Sequence, residues 1–441
     1  MTPGARLSAV IEVLGDIVTR RRPAADALKD WGLARRFAGS KDRAAIASLV
    51  YDALRRKASA AWIMGAPRLE EASPRAVLLG TLRLARSMSA KSITEICDGS
   101  RFAPAPLSAG ERECLESAEL TLARAPDHVA GDFPEWLRPS LASEFGDALV
   151  REMQALARRA PLDLRVNALK GTREEAMAAL AHLRPCPTPF SPLGIRLPHG
   201  EDGRGPSVQS EPAFLDGVIE IQDEGSQLVS LLAGMNPGEI AIDLCAGGGG
   251  KTLALAAVAS GEGRIIATDE DKRRLAPIHA RLQRAGARNV EVRTPRLRGD
   301  ETLADLEGKA DLILVDAPCT GIGTWRRNPD AKWRVRQGSL DRRVKEQEAV
   351  LDRATRFVKP SGRIAYITCS LLPRENEERV GSFLEGRPGW QEWPRERLVS
   401  GLPPELARLN SHGAHRGEGL LLAPARTGTD GFFLSVLERV K

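Results

Sequence analysis

Two of the six cysteines in this 441-residue chain stand where a folded enzyme would put working groups. Cys319 closes the segment Asp316-Ala-Pro-Cys319, and Cys369 is the centre of Thr368-Cys369-Ser370. Each follows an apolar run that reads as a buried strand, Leu312 to Ala317 and Arg363 to Thr368. A single buried cysteine in a strand is ordinarily a small hydrophobe. Two at strand ends, one preceded by an acid, point to chemistry in which a thiolate is the active form.

A third motif follows Ile240 to Leu244: Asp243-Leu-Cys-Ala-Gly-Gly-Gly-Gly-Lys-Thr252. Glycines there let the backbone approach a ligand closely at a helix N-terminus. A triphosphate-binding loop fails, because its first glycine would fall at Cys245. A dinucleotide fingerprint fails too, because Gly247 and Gly249 are followed by Thr252 where the third glycine belongs. What fits is the acid-x-small-x-Gly-x-Gly loop of S-adenosylmethionine enzymes. Asp269 ends the next strand, 20 residues past Gly249, where an acid can take two ribose hydroxyls.

A thiol beside a methyl donor suits one problem in particular. Carbon 5 of cytosine is a poor nucleophile within the aromatic ring. A thiolate adding to carbon 6, with an acid hydrogen-bonded to ring nitrogen 3, creates an enamine-like carbon 5 that accepts the methyl. The carbon-5 proton must then leave so that the thiol can depart. This needs one nucleophilic cysteine, one acid near the ring and one further group to assist release. A free thiol ionises near ~8.5, so a nearby cation is expected, and Lys251 and Arg326 are the candidates.

These residues need a scaffold, and from about residue 220 the pattern supplies one. Ile240 to Leu244, Arg264 to Asp269, Asn289 to Arg293, Leu312 to Ala317 and Arg363 to Thr368 read as buried strands, with helical segments such as Asp271 to Ala285 between them. This is the α/β pattern of a doubly wound, mostly parallel Rossmann-like sheet, whose ligands bind at the carboxyl ends of the strands. Residues 162–183 pair a short strand, Leu162 to Asn167, with an amphipathic helix, Thr172 to Leu183, and Pro185 to Pro206 reads as loop. The first 140 residues are helical, with Leu7, Val10, Ile11, Leu14, Ile17 and Val18, then Ile46, Leu49, Val50 and Leu54, at helical spacing. The expected domains are 1–140, 141–220 and 221–441.

The sequence resembles the Sun-type RNA cytosine-C5 methyltransferases, a family that includes bacterial 16S rRNA enzymes. The matching segments are Leu164-Arg-Val-Asn167, Ile221-Gln-Asp-Glu-Gly-Ser-Gln227, Asp243 to Thr252, Asp316-Ala-Pro-Cys319, Arg326-Arg-Asn-Pro-Asp-Ala-Lys-Trp333, Thr368-Cys-Ser370 with Glu375-Asn-Glu377, and Asp430-Gly-Phe-Phe433. The N-terminal part, with Asp42-Arg-Ala and Leu49-Val-Tyr, resembles the NusB-type helical RNA-binding domain, which favours rRNA over tRNA as substrate. The resemblance implies that Cys369 is the nucleophile, that Cys319 assists product release and that Asp316 sits between donor and target base. It implies that Cys245, Ala246, Gly247, Gly248, Gly249, Gly250 and Lys251 line the S-adenosyl-L-methionine, with Asp269 on its ribose. Arg165, Asn167, Arg326 and Lys332 are implied to contact RNA.

Two departures from the family pattern stand out. Its glycine loop usually reads Cys-Ala-Ala-Pro-Gly-Gly-Lys, whereas Gly247 and Gly248 replace the second alanine and the proline here. An acid near the donor adenine is also expected after the third strand, and the nearest one is Asp300.

Composition narrows the rest. Net charge is only +6, but residues 20–57 hold eleven cations against four aspartates, and 326–345 hold eight against Asp330 and Asp341. Of the 64 cations 52 are arginine, the better phosphate fork. Beside the catalytic loop the second run is expected to contact phosphate. With aromatics at 4%, RNA is expected to be held by arginine and shape rather than by stacking platforms, with one cytosine flipped into the pocket. The cysteines lie far apart with no CxxC pair and the histidines are mostly single, so disulfides, zinc and other metals are not expected. No apolar run reaches the length of a membrane span, and Arg6, Glu12 and Asp16 interrupt the start in a way no signal peptide tolerates. A cytoplasmic monomer is expected. An exocyclic-amino methyltransferase would carry an aromatic residue where Cys319 stands. A non-catalytic RNA-binding assembly protein remains the alternative of a different class.

Overall fold

The computed structural model describes residues 1–198, 200, 205–295, 302–400, 402–413 and 417–440, so Asp300 lies outside the described residues. The chain forms two compact units. One comprises Met1–Arg158 with Trp325–Arg336, the other Arg159–Thr324 with Gln337–Lys441. The first boundary thus falls later than residue 140. Residues 141–158 fall in the first unit and 159–220 in the second.

The first unit is helical because its apolar residues recur every three to four positions and its ends are capped. In Pro3–Arg20 the Thr2 hydroxyl accepts from the Ala5 amide and Pro3 opens the first turn; Ser73 and Pro74 repeat the device at Pro74–Ala85. Val10, Val13 and Leu14 pack with Ile46 and Val50 of Ser40–Arg55 and with Leu78 and Leu79. The segment Trp325–Arg336 is held inside this unit. Trp333 Nε1 donates to the Leu54 carbonyl at 2.6 Å, Lys332 Nζ to the Arg55 carbonyl at 3.0 Å, and Arg55 to the Arg326 carbonyl at 2.9 Å.

The second unit contains two sheets. The smaller is antiparallel, built from β1 (Leu162–Val166), β2 (Cys186–Pro187), β3 (Gly194–Leu197) and β4 (Ile219–Ile221) in the order β2-β3-β1-β4. β2 and β3 fall within the stretch read as loop. Their flanking prolines mask strands that are short and partnered on β1. The larger sheet has eight strands among the described residues: β5 (Ile240–Asp243), β6 (Arg264–Ala267), β7 (Val290–Val292), β8 (Ala310–Asp316), β9 (Val358–Thr368), β10 (Trp390–Glu392), β11 (Leu420–Leu422) and β12 (Phe432–Arg439). Strands β5 to β9 are parallel and give the order β7-β6-β5-β8-β9, while β12 adds antiparallel to β9. The five strands expected from apolar runs are all present. The helix expected over 271–285 is two, Lys272–Leu275 and Ile278–Ala285, because Pro277 cannot continue the first. Among the described residues no helix is long and apolar enough to cross a membrane.

The order of strands along the sheet reverses between β5 and β8, so loops after these strands diverge and leave a crevice at their carboxyl ends. Register places Asp316 of β8 opposite Ile367 of β9, which brings Cys319 and Cys369 out at the same edge. Gly323 fixes the turn that follows. Its amide donates to the Cys369 carbonyl at 2.9 Å and its carbonyl accepts from Gly431 at 2.8 Å. A Cβ on Gly323 would lie 2.1 Å from the Gly431 oxygen. Gly323→Ala is therefore expected to cost about 1–3 kcal/mol by overpacking and to separate the two thiols. Urea unfolding and thiol-labelling rates, measured on the same protein, check both effects.

Candidate active site

The loop after β5 is shaped by its glycines. Gly247 and Gly249 have φ of 48° and 80°, left-handed values that disfavour other residues. Gly249 caps the helix Gly250–Val258, which places Lys251 in its first turn. The Gly247 amide donates to Asp269 Oδ2 at 3.0 Å, and Gly249 donates to the Ala246 carbonyl at 2.8 Å. A cavity of about 240 Å³ opens above this loop. Among its lining residues are Asp243, Cys245, Lys251, Arg274, Arg281 and Asp316, with Ala246, Gly247, Gly248 and Gly250 along its floor. Gly249 and Asp269 do not line it. Asp269 is 3% exposed; its carboxylate accepts from the Gly247 amide of the loop and from the Asp271 amide beyond β6.

Charge runs inward from this cavity. Asp243 is fully buried, accepting from Thr252 Oγ1 at 2.7 Å and from the Cys245 amide at 3.3 Å. Burial, aided by the nearby Asp316 charge, pushes its pKa up to about 7 against the opposing pull of Thr252 and Lys251. Lys251 Nζ donates to Asp316 Oδ2 at 2.7 Å and lies 5.3 Å from the centre of the Phe432 ring. Burial alone would lower its pKa, but the charge and hydrogen bond of Asp316 win, so Lys251 stays an ammonium. It also interacts electrostatically with Cys369.

The two thiols meet, with Cys319 Sγ 3.3 Å from Cys369 Sγ. The hydrogen bond with Cys369, then burial, then the charges of Cys369 and Glu375 hold the Cys319 thiol well above its usual pKa. Burial does the same to Cys245, reinforced by Asp243.

A residue quoted in the sequence without a role holds this pair together. Glu375 is fully buried. Its Oε1 accepts from the Thr320 amide at 2.8 Å and from Gln347 at 3.1 Å, and its Oε2 from Ser370 Oγ at 2.5 Å and from the Thr320 hydroxyl. One carboxylate thus ties the residue after Cys319 to the residue after Cys369. Burial raises its pKa, opposed by those same donors. Its neighbour Asn376 donates to the Ser370 carbonyl at 3.0 Å and accepts from Thr368 Oγ1 at 2.6 Å. The only sequence signal was the Glu375-Asn-Glu377 spacing after Cys369.

The four residues expected on RNA are internal instead. Arg165 is 3% exposed and donates to Gln222, while Asn167 is 2% exposed and donates to the Gly217 and Ala285 carbonyls. Arg326 is 5% and Lys332 2% exposed, within the helical unit. Burial lowers the Lys332 pKa to about 7 despite the Asp132 charge. None of the four presents a phosphate-facing surface, and Arg326 belongs to the helical unit rather than to the thiols' own. The basic run 326–345 is divided after Arg336, its second part opening the helix Gln337–Phe357. Among the described residues there is no group of three or more His, Cys, Asp or Glu placed to hold a metal.

Comparison with known proteins adds to this geometry. The family model described as 16S rRNA methyltransferase RsmB/F matches residues 230–438, and that of the RsmF/B-like ferredoxin-like domain matches residues 133–202. Ribosomal RNA small subunit methyltransferase B of Cronobacter sakazakii is 31% identical over 320 residues, covering 70% of this chain and 68% of the relative. The probable enzyme of that name from Synechocystis is 29% identical over 313 residues, covering 70% and 67%. The chain thus matches about two thirds of the length of these relatives. The crystal structure of PH0851 has a TM-score of 0.70 at 23% identity, covering 99% of both chains. That of NSun6 from Pyrococcus horikoshii with SFG has a TM-score of 0.59 at 23% identity, covering 70% of this chain and 99% of the other. These two likenesses concern the fold.

Removing the Glu375 carboxylate would strand an amide N–H, two hydroxyls and the Gln347 side chain in a dry site. Glu375→Ala is expected to lower stability by about 2–4 kcal/mol and Glu375→Gln by less, measured by urea denaturation at pH 7.5.

Proposed function

The chain belongs to the 16S rRNA methyltransferase RsmB/F family, and we propose that it methylates carbon 5 of a cytosine in 16S rRNA through a covalent cysteine adduct. It is an S-adenosylmethionine-dependent RNA methyltransferase. We place it in the cytoplasm, acting as a single chain. The observation that carries the cytosine reading is the 3.3 Å approach of two thiols beside the Lys251–Asp316 pair. Methylation of an exocyclic amine needs no thiol.

The residues around the cavity fit the donor: carboxylates for its cationic end and a glycine floor that admits close approach. When bound, S-adenosylmethionine supplies an electrophilic methyl group and leaves as a neutral thioether. Cys369 Sγ bonds to carbon 6 of the cytosine, with Lys251 stabilising its thiolate form. Asp316, hydrogen-bonded to Lys251 at the cavity, takes a proton from that ammonium and donates it to ring nitrogen 3 as negative charge develops there, regaining it when the ring is restored. Carbon 5 takes the methyl, its proton then passes to water, the electrons of that bond restore the carbon 5–carbon 6 double bond, and the carbon 6–sulfur bond breaks to release Cys369 as a thiolate. Cys319, 3.3 Å from that sulfur and kept protonated by its surroundings, assists the release.

Cys369→Ala is expected to abolish methylation while donor binding survives, and Cys319→Ala to accumulate an RNA–protein adduct stable on a denaturing gel. No adduct with the second variant, together with full activity in the first, would sink the proposal.

Asp243 gives a pH signature. With its pKa near 7 it is partly protonated at neutrality, whereas the bound cationic donor favours the carboxylate. Donor binding should release a proton, so affinity climbs by up to about tenfold per unit as pH rises toward 7 and levels off above it. Calorimetry at pH 7 in buffers of different ionisation enthalpy reads the released proton directly, and Asp243→Asn should remove it.

A further inference from the structure

Four consecutive glycines, Gly247 to Gly250, make up the loop beneath the donor cavity, three of them lining it, where the family pattern has only two. Each surplus glycine gives the unliganded loop freedom that binding must remove. A partner for this loop lies 33 residues away in sequence. Arg281, on the helix Ile278–Ala285, donates through Nη1 to the Gly248 carbonyl at 2.7 Å and through Nη2 to Glu220 Oε2 at 3.0 Å. Glu220, on β4, is 2% exposed and is also paired with Arg284. The guanidinium is thus fixed on one side by a buried carboxylate and grips the loop on the other. Both Arg281 and Gly248 line the cavity.

Space around Gly248 is matched to this contact. Its φ is not left-handed, so the backbone would accept a side chain. The atom a Cβ would meet is Arg281 Nη1, at 3.3 Å, which is tighter than an ordinary contact. The proline side chain missing at Gly248 is therefore the room in which the guanidinium sits.

We infer that Arg281 is a positioning residue for the methyl donor: braced by Glu220, it orders the four-glycine loop and so sets donor affinity. This rests on reading the loop as the donor site, and it extends that reading to a residue outside every motif. Arg281 replaces covalent stiffness with a charge-assisted hydrogen bond, a class stronger than a neutral one. It acts on the loop alone, so turnover at saturating donor is unaffected. Arg284 shares Glu220 but makes no contact with the loop, and serves as the control.

The test measures S-adenosylmethionine and S-adenosylhomocysteine binding to the full chain by calorimetry, with donor KM and kcat measured alongside. Arg281→Ala is expected to raise both dissociation constants about tenfold or more, with kcat and the RNA KM held within about twofold of wild type. Arg284→Ala should leave donor binding near wild type. Gly248→Ala gives a change of sign. In the parent it crowds Nη1 and weakens binding. In the Arg281→Ala background that space is free, the alanine stiffens the loop, and binding recovers by about two- to fivefold. Arg281→Lys can serve Gly248 or Glu220 but not both, and should be intermediate, which keeps the test available if the alanine variant folds poorly. Wild-type affinity in Arg281→Ala or Arg281→Lys would overturn the assignment. So would equal losses in the Arg281 and Arg284 variants without rescue by Gly248→Ala. Failure of the parent protein to bind either ligand would instead overturn the donor-site reading itself.

Discussion

The active site depends on one buried carboxylate held by neutral donors. Parallel neighbours in a sheet lie about 4.8 Å apart, so β8 and β9 alone bring their ends near each other without closing two thiols to contact. Glu375 closes them. Its two oxygens take donors from Thr320 and from Ser370, the residues immediately after Cys319 and Cys369. Gln347 steadies the same carboxylate while also donating to the Pro318 carbonyl at 2.9 Å. An arginine in its place at the cluster would bind Glu375 but bring charge beside the thiols. Neutral donors hold it without doing so, and the residual effect of its own charge is to keep Cys319 protonated.

Lys251 joins this pair to the donor cavity. It is 9% exposed, yet it remains charged because Asp316 faces it at 2.7 Å. In a dry site that one cation serves two partners, the carboxylate at the cavity and the thiol behind it. Asp243 sits deeper and has no lysine of its own, only the Thr252 hydroxyl and one amide. The difference in partners explains why burial dominates at Asp243, while Lys251 is held by its partner against burial.

The working groups were legible because they lie in short motifs at the carboxyl ends of apolar strands. Cys319, Cys369 and Asp316 each fall within three residues of such an end and Lys251 eight residues past one, and the sheet brings such ends together. Glu375 had no legible role, since an acid that accepts from backbone amides and hydroxyls needs no characteristic spacing. Arg281 was hidden for another reason: its contact with Gly248 depends on how a helix packs over a loop. Proline misled in opposite directions. It masked β3, whose pairing with β1 only the fold reveals, and at Pro277 it broke a helix whose periodicity ran on past it. The antiparallel β12 went unread although Phe432 and Phe433 had drawn notice, because parallel strands with crossover helices set the pattern being followed.

Positive charge in sequence proved the poorest guide. A count along the chain weighs every arginine alike, whereas folding sorts them into those that face water and those that hold carbonyls and carboxylates. Arg165 and Arg363 are almost fully covered, the latter bound to Glu239 at 2.8 Å and to the Ala233 carbonyl at 3.4 Å. Lys332 is covered so completely that its pKa falls to about 7, so near neutrality it is no dependable cation at all. Phosphate responds only to charge it can approach within roughly a Debye length. Part of the basic run after Cys319 is therefore internal scaffolding. Its Arg326 carbonyl, Asp330, Lys332 and Trp333 knit Trp325–Arg336 into the helices that precede the catalytic fold in sequence. The chain leaves the thiol-bearing unit after Thr324, five residues beyond Cys319, and of the cations that follow Arg326 and Lys332 are covered, whereas Arg334, Arg336, Arg342 and Lys345 face water.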